Sequence, residues 1–226
     1  MKNHAVLQKY AGIRDAGRVA YQTGSVKAFP GFSESLKKRV CMMLRFNPEA
    51  SRFIEALNLE LVWSHPSFFT FLVAGRDFPL HATLLEGESS EEVTSFSGAL
   101  DSVRNCVVDE LLGRKIVFDQ FIADAGGSVI LAATEIPEYV VKARMVVADY
   151  YTSEKLRVLP LDNILHSTQV RITRLPGDEE VERRGLASFH RRVEEINARL
   201  ERAPINARVE SVGLAQAYAF LKSQLK

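Results

Sequence analysis

The sequence predicts an α+β protein of two similar lobes related by a pseudo-twofold axis, each with an antiparallel sheet facing a central cleft and helices on its outer face. Three observations predict it. Segments with strand alternation and segments with helical spacing are interleaved along the chain. The stretch LHATLLEG followed by SSEEV returns 85 residues later as LHSTQVRI followed by GDEEV, in the same order of strand, turn, acidic helix start, helix and terminal strands. A length of 226 residues, 46% of them hydrophobic, is enough to bury a substantial core in one compact unit.

In chain order, residues 1–60 are expected to form a helical extension packed on the core, and residues 61–226 the bilobal domain itself. Residues 21–32 (YQTGSVKAFPGF) carry two glycines and a proline without periodicity and read as an ordered loop. SESLKKRVCMMLRF and PEASRFIEAL have helical spacing, with Ser33 as an N-cap and Pro48 opening a second helix. Residues 67–74 and 80–85 read as strands, and the Arg76-Asp77 turn between them predicts a hairpin. SSEEVTSFSGALDSV, from Ser89, reads as a helix with Glu91 and Glu92 at its positive end. Residues 115–123 and 128–134 flank Asp124-Ala125-Gly126-Gly127, a turn able to supply positive φ, and predict a second hairpin. Pro137 opens an amphipathic helix to about Glu154, with Lys142 and Arg144 among its apolar residues. ILHSTQVRI is a strand, Pro176-Gly177 breaks it, and residues 178–202 form a helix with Glu179 and Glu180 in the first turn. Residues 209–221 close the chain as one or two strands.

The chemistry-bearing residues lie in the repeat. Alternation in a strand puts His81 and Thr83 on one face, and His166 and Thr168 on one face of the other strand. If a pseudo-twofold axis relates the lobes, the two pairs meet across the cleft. Opening a phosphodiester needs a base to take a proton from the attacking water and an acid to protonate the departing oxygen. An imidazole does either near neutral pH. Threonine hydroxyls can donate to the non-bridging oxygens where charge accumulates. A single His-x-Thr is a common tripeptide, whereas two at equivalent points of a repeat are a pattern.

His81-Ala82-Thr83-Leu84 and His166-Ser167-Thr168-Gln169, each in an apolar strand, resemble the paired H-x-[ST]-x motifs of the two-histidine phosphoesterase superfamily, especially its bacterial RNA ligase/cyclic phosphodiesterase (LigT-like) branch. The resemblance covers roughly residues 68–220. It implies a metal-independent mechanism with catalytic His81 and His166 and phosphate-binding Thr83 and Thr168, acting on a 2′,3′-cyclic phosphate of a nucleotide or RNA end, or on another small phosphodiester. Gln169 departs from the apolar residue more usual there, and the first 60 residues are longer than compact members need. The competing reading is a protein that holds a nucleotide or phosphorylated metabolite in the same cleft without turning it over.

Other features argue against further chemistry. The formal net charge of +1 gives no global field for nucleic acid, so RNA contact requires a local patch. Cys41 and Cys106 lie outside any CxxC spacing and read as reduced thiols, and with His4, His65 and His190 they lack the clustering of a zinc site. No metal or cofactor is expected. Gly126-Gly127 lacks the setting of a nucleotide-binding loop, so ATP is not expected either. The absence of an apolar leader or of a run long enough to span a bilayer predicts a cytoplasmic protein without a membrane partner. Trp63 and Phe68, flanking His65, read as core and loop packing, with base stacking as the rarer alternative. His4 and His190 are expected on the surface, and the alternating Arg and Glu residues after position 178 as a solvated face.

Overall fold

A computed structural model describes residues 4–29, 38–63, 69–89, 105, 107–153, 157–159, 164–218 and 224–225. Its helices are α1 (His4–Thr23), α2 (Pro48–Trp63), α3 (Glu138–Ser153) and α4 (Glu179–Leu200). Its strands are β1 (Lys38–Phe46), β2 (Thr70–Val73), β3 (Ala82–Ser89), β4 (Lys115–Phe118), β5 (Gln120–Ala123), β6 (Ser128–Ala133), β7 (Arg157–Leu159), β8 (Leu165–Arg174), β9 (Ile205–Tyr218) and β10 (Gln224–Leu225). Among the described residues one sheet runs β10-β9-β1-β3-β7, with β4 also paired to β9, and a second runs β2-β8-β6-β5. Every strand pairing is antiparallel. The fold is thus α+β with two antiparallel sheets, as the repeat predicts, and each sheet receives one His-x-Thr motif.

Two expectations are corrected. Residues 38–46 are not helical: they form β1, between β3 and β9. Met42, Leu44 and Phe46 enter the main core on one side of it, while Cys41 and Met43 are buried on the other. A central strand covered on both faces reads as an unbroken apolar run, so its sequence carries no alternation to set it apart from a buried helix. The start of that predicted helix, residues 33–37, lies outside the described residues.

β2 and β3, in turn, are not a hairpin. β2 pairs with β8 in the second sheet and β3 with β1 in the first. The turn between them is self-contained: Asp77 Oδ2 accepts from the Val73 amide at 2.8 Å, Gly75 adopts φ 87°, and Pro79 brings no N–H to extend a ladder. It carries the chain from one sheet to the other. Residues 115–123 cross the same way. At Asp119, whose carboxylate accepts from the Thr134 amide at 3.1 Å and from the Thr134 hydroxyl, β4 leaves the β9 edge and β5 joins β6. The hairpin at residues 124–127 forms as expected, with Gly127 at φ 74°. The helix predicted from Ser89 lies outside the described residues over 90–104, and Ser89 itself ends β3.

The helices α2 and α4 cover the shared core. Leu186, Phe189, Val193, Ile196 and Leu200 follow the three- and four-residue spacing of one helical face and are fully or almost fully buried. Each such side chain contributes on the order of 2 kcal/mol by leaving water. Asp178 caps α4 by accepting from the Glu180 and Val181 amides, and Asn197 exchanges both hydrogen bonds with the Phe121 main chain, tying α4 to β5. No helix among the described residues is long and apolar enough to cross a membrane.

α1 holds a different place. Its Val6 and Tyr10 pack on Ile122, Ile130 and Ala132, while Ala20 and Tyr21, further along, join the main core. The helix passes the end of β5 so closely that a Cβ on Gly17 would lie 1.8 Å from the Ala123 carbonyl oxygen, whereas one on Gly12 meets nothing within 4 Å. Gly17→Ala should therefore cost about 2 kcal/mol or more through a backbone clash, and Gly12→Ala should add up to about 1 kcal/mol through helix propensity. Urea denaturation midpoints for the two variants should move in opposite directions.

Candidate active site

His81 lies one residue before β3 and is half-buried. Its Nδ1 is 2.8 Å from the Pro79 carbonyl oxygen. A carbonyl can only accept, so Nδ1 carries the hydrogen and the neutral ring presents the lone pair of Nε2. Burial lowers the affinity of this ring for a proton; the Pro79 bond opposes that, and the Arg45 charge adds to it. His166 is the second residue of β8, opposite Ala132 of β6. Burial first, then the charges of Arg144, His81 and Arg171, bring its pKa down to about 4. Both shifts favour the neutral ring at pH 7 in the free protein.

The two motifs, one from each sheet, meet directly. The Ser167 hydroxyl, 1% exposed, donates to the His81 carbonyl, so the residue beside one imidazole holds the backbone of the other. Arg144 of α3 makes a second connection: its Nε donates to the Leu84 carbonyl at 2.8 Å and its Nη2 to the Ile164 carbonyl at 2.7 Å. Those acceptors lie three residues after His81 and two before His166. A third contact comes from α1, where the Tyr10 hydroxyl donates to the Leu165 carbonyl at 2.7 Å and accepts from the Leu165 amide at 3.0 Å. Burial brings the Arg144 guanidinium down to about 10 and pushes the Tyr10 phenol up, so the first stays charged and the second neutral.

The threonines are half-buried. Thr83 pairs with Met43 of β1, and its Oγ1 accepts from the Cys41 thiol at 3.7 Å, which leaves its own hydrogen for another acceptor. Cys41 is free, and burial pushes its thiol up to about 12, so it serves as a neutral donor. Thr168 pairs with Ile130. Gln169 is fully buried: its Nε2 donates to the Ser167 carbonyl at 3.1 Å and its Oε1 accepts from Asn58 of α2 at 2.9 Å. The departure from an apolar residue there is a polar tie between α2 and the motif strand.

Arg144, Tyr10 and Ser167 were not singled out from the sequence. Arg144 had left a trace, because it falls in the buried stripe Val140, Ala143, Val147, Tyr151 of α3, where an arginine must find acceptors. Tyr10 falls likewise in the stripe of Val6 and Gly17 on α1.

The remaining residues sort as follows. His4 is exposed and bonded to Gln8, as expected. His190 is not a solvated residue: its side chain is 12% exposed and lies against the Tyr21 ring at 5.7 Å, because α1 packs beside α4. Trp63 is 73% exposed at the end of α2, so it takes no part in the core; His65, Phe68 and Cys106 lie outside the described residues. Arg184, Arg192 and Arg199 pair with Glu180, Glu195 and Glu60. Among the described residues no three His, Cys, Asp or Glu side chains are grouped to hold a metal ion.

The depressed His166 has a consequence for stability. The unfolded chain takes up this proton near pH 6.5 and the folded chain only near 4, so between those values the unfolded state binds more protons and acidification favours it. Unfolding free energy should fall by roughly 3 kcal/mol between pH 6.5 and 4 on account of this ring. The loss should be smaller in His166→Gln, measured by urea titration across that range.

No protein-family model matches this chain, and neither does any curated protein sequence. Among solved structures it is similar to Kluyveromyces marxianus Usb1 with uridine monophosphate, at 19% identity and a TM-score of 0.41 over 85% of this chain and 99% of that one. It is also similar to a second structure of Kluyveromyces marxianus Usb1, at 17% identity and a TM-score of 0.42 over 84% and 96%.

Proposed function

We propose that this protein is a phosphodiesterase that opens a 2′,3′-cyclic phosphate on a nucleotide or RNA end by acid–base catalysis between His81 and His166. What supports the reading is the junction of the two motifs: imidazoles from different sheets, linked through the Ser167–His81 hydrogen bond and close enough that the charge of one lowers the proton affinity of the other.

In the reaction one neutral imidazole takes the proton of a water whose oxygen forms a new bond to phosphorus. The bond from phosphorus to one sugar oxygen breaks, and the other imidazole, now protonated, delivers its proton to that oxygen. The product is a phosphomonoester beside a free hydroxyl, and each ring has exchanged one proton. The two imidazoles supply both proton transfers, from the water and to the departing oxygen, and the mechanism we propose is metal-independent. Thr83 and Thr168 donate to the non-bridging oxygens, where negative charge rises.

Both rings are neutral before substrate arrives, and the site also feels the cations of Arg45, Arg144 and Arg171. An anionic diester offsets those charges, raises the proton affinity of the imidazoles, and so brings in the proton that the acid will donate. Binding and protonation are one event. A slowly hydrolysed cyclic phosphorothioate, whose own charge is constant over the range, should therefore bind more tightly to the unsubstituted protein as pH falls from 7 to 5, with proton uptake visible by calorimetry, before turnover, in buffers of different ionisation enthalpy. Affinity independent of pH would contradict the coupling.

Turnover of a 2′,3′-cyclic nucleotide should survive chelator. It should fall by about 10²- to 10⁴-fold in His81→Ala and in His166→Ala, with smaller losses, on the order of 10- to 100-fold, in Thr83→Val and Thr168→Val. Undiminished turnover in either histidine variant refutes the assignment.

A further inference from the structure

We infer that Tyr10 and Arg144 are positioning residues for the proposed reaction: from two helices outside both sheets, they grip the main chain of Ile164 and Leu165 and so fix where the His166 imidazole stands relative to His81. The inference rests on the acid–base reading of the histidines and extends it to residues that touch neither substrate nor reacting atoms.

The geometry of the segment carries the argument. Near its start β8 is paired to β6 on one side, while its pairing with β2 begins only at Val170. The stretch that bears His166 is therefore bordered by one strand of its own sheet. At Leu165 the Tyr10 hydroxyl acts as donor and acceptor at once, taking both main-chain groups of a single residue. One residue earlier, the Ile164 carbonyl receives Arg144, whose Nε reaches across to Leu84 in the other sheet. Tyr10 and Arg144 are also close enough to shift each other's protonation. Two successive residues before the imidazole are thus held by three side-chain hydrogen bonds from α1 and α3, and one of those side chains spans both sheets. An error of about 1 Å in such a placement costs on the order of 100-fold in rate. The N-terminal helix, which the sequence left without a role, is by this account part of the site.

The groups that bear electrostatically on His166 are Arg144 from α3, His81 before β3 and Arg171 further along β8; the Tyr10 phenol of α1 is neutral, and Ala132 opposite on β6 is uncharged. Grip and charge can therefore be separated. Tyr10→Phe keeps the ring and removes only the hydroxyl. Arg144→Lys keeps the charge and loses the fork that spans two carbonyls, and Arg144→Met loses both.

The experiment combines kcat and KM on a cyclic nucleotide with NMR titration of ring-labelled histidine, the His166 signal being identified by its loss in His166→Ala. Folding is checked by near-ultraviolet circular dichroism. In Tyr10→Phe, kcat should drop about 10-fold with KM within twofold, and the His166 signal should shift. In Arg144→Lys, kcat should drop similarly while the His166 midpoint stays low, and in Arg144→Met that midpoint should also rise. A folded Tyr10→Phe with unchanged kcat and an unchanged His166 spectrum overturns the inference, whatever Arg144→Met does to folding. If the wild-type protein turns over no diester, the acid–base reading fails by itself; the His166 spectrum then decides whether Tyr10 and Arg144 set the place of the ring.

Discussion

A buried guanidinium with two carbonyl partners is the constraint from which the rest of this molecule follows. Arg144 cannot give up its charge, and removing it from water is costly unless its donors are met. The acceptors it finds belong to different sheets, Leu84 in β3 and Ile164 at the mouth of β8, so satisfying the cation fixes the distance between the sheets. Ser167 adds a shorter link at the same seam. The two halves of the repeat are consequently joined where their histidines lie, rather than merely packed through side chains that could slide.

That seam also sets the electrostatic character of the site. Burial first, and then the charges of Arg144, His81 and Arg171, favour the neutral form of the His166 ring. A chain with a formal net charge of +1 thus brings the arginines at 144 and 171 close enough to act on one imidazole. The ion pairs of α4 with Glu60, Glu180 and Glu195 show the complementary case, in which arginines on a solvated helix are answered by carboxylates nearby.

How far the sequence disclosed all this depended on whether a segment's surroundings were written into its own pattern. α4 announced itself through Asp178, its acidic first turn and a wide apolar stripe, and the hairpin of β5 and β6 through its glycines. β8 and the pairing of each histidine with a threonine were legible for the same reason. β1 was misread because burial on both faces erases alternation, and β2 and β3 because a tight turn between two strands resembles a hairpin whether or not the strands pair. At the candidate site, His81, Thr83, His166 and Thr168 are proposals that the repeat itself suggested. Tyr10 and Ser167 could not, because their partners are main-chain groups 155 and 86 residues away, and main-chain groups look alike in every sequence.

The small irregularity in β8 decides which side chains share a side. Val129 pairs with Val170 but Ile130 with Thr168, so Gln169 is an extra residue opposite no partner. Ser128, Ile130 and Ala132 alternate regularly along β6, and their partners are Arg171, Thr168 and His166. Counting along β8 alone, Arg171 stands at an odd interval from Thr168 and would project from the reverse side of a regular strand. The inserted glutamine shifts the parity by one and returns Arg171 to the side of the imidazole. Deleting position 169 would leave Thr168 and Arg171 two residues apart, so in a regular strand the cation would keep its side, and what would go is the amide that ties the strand to Asn58 of α2.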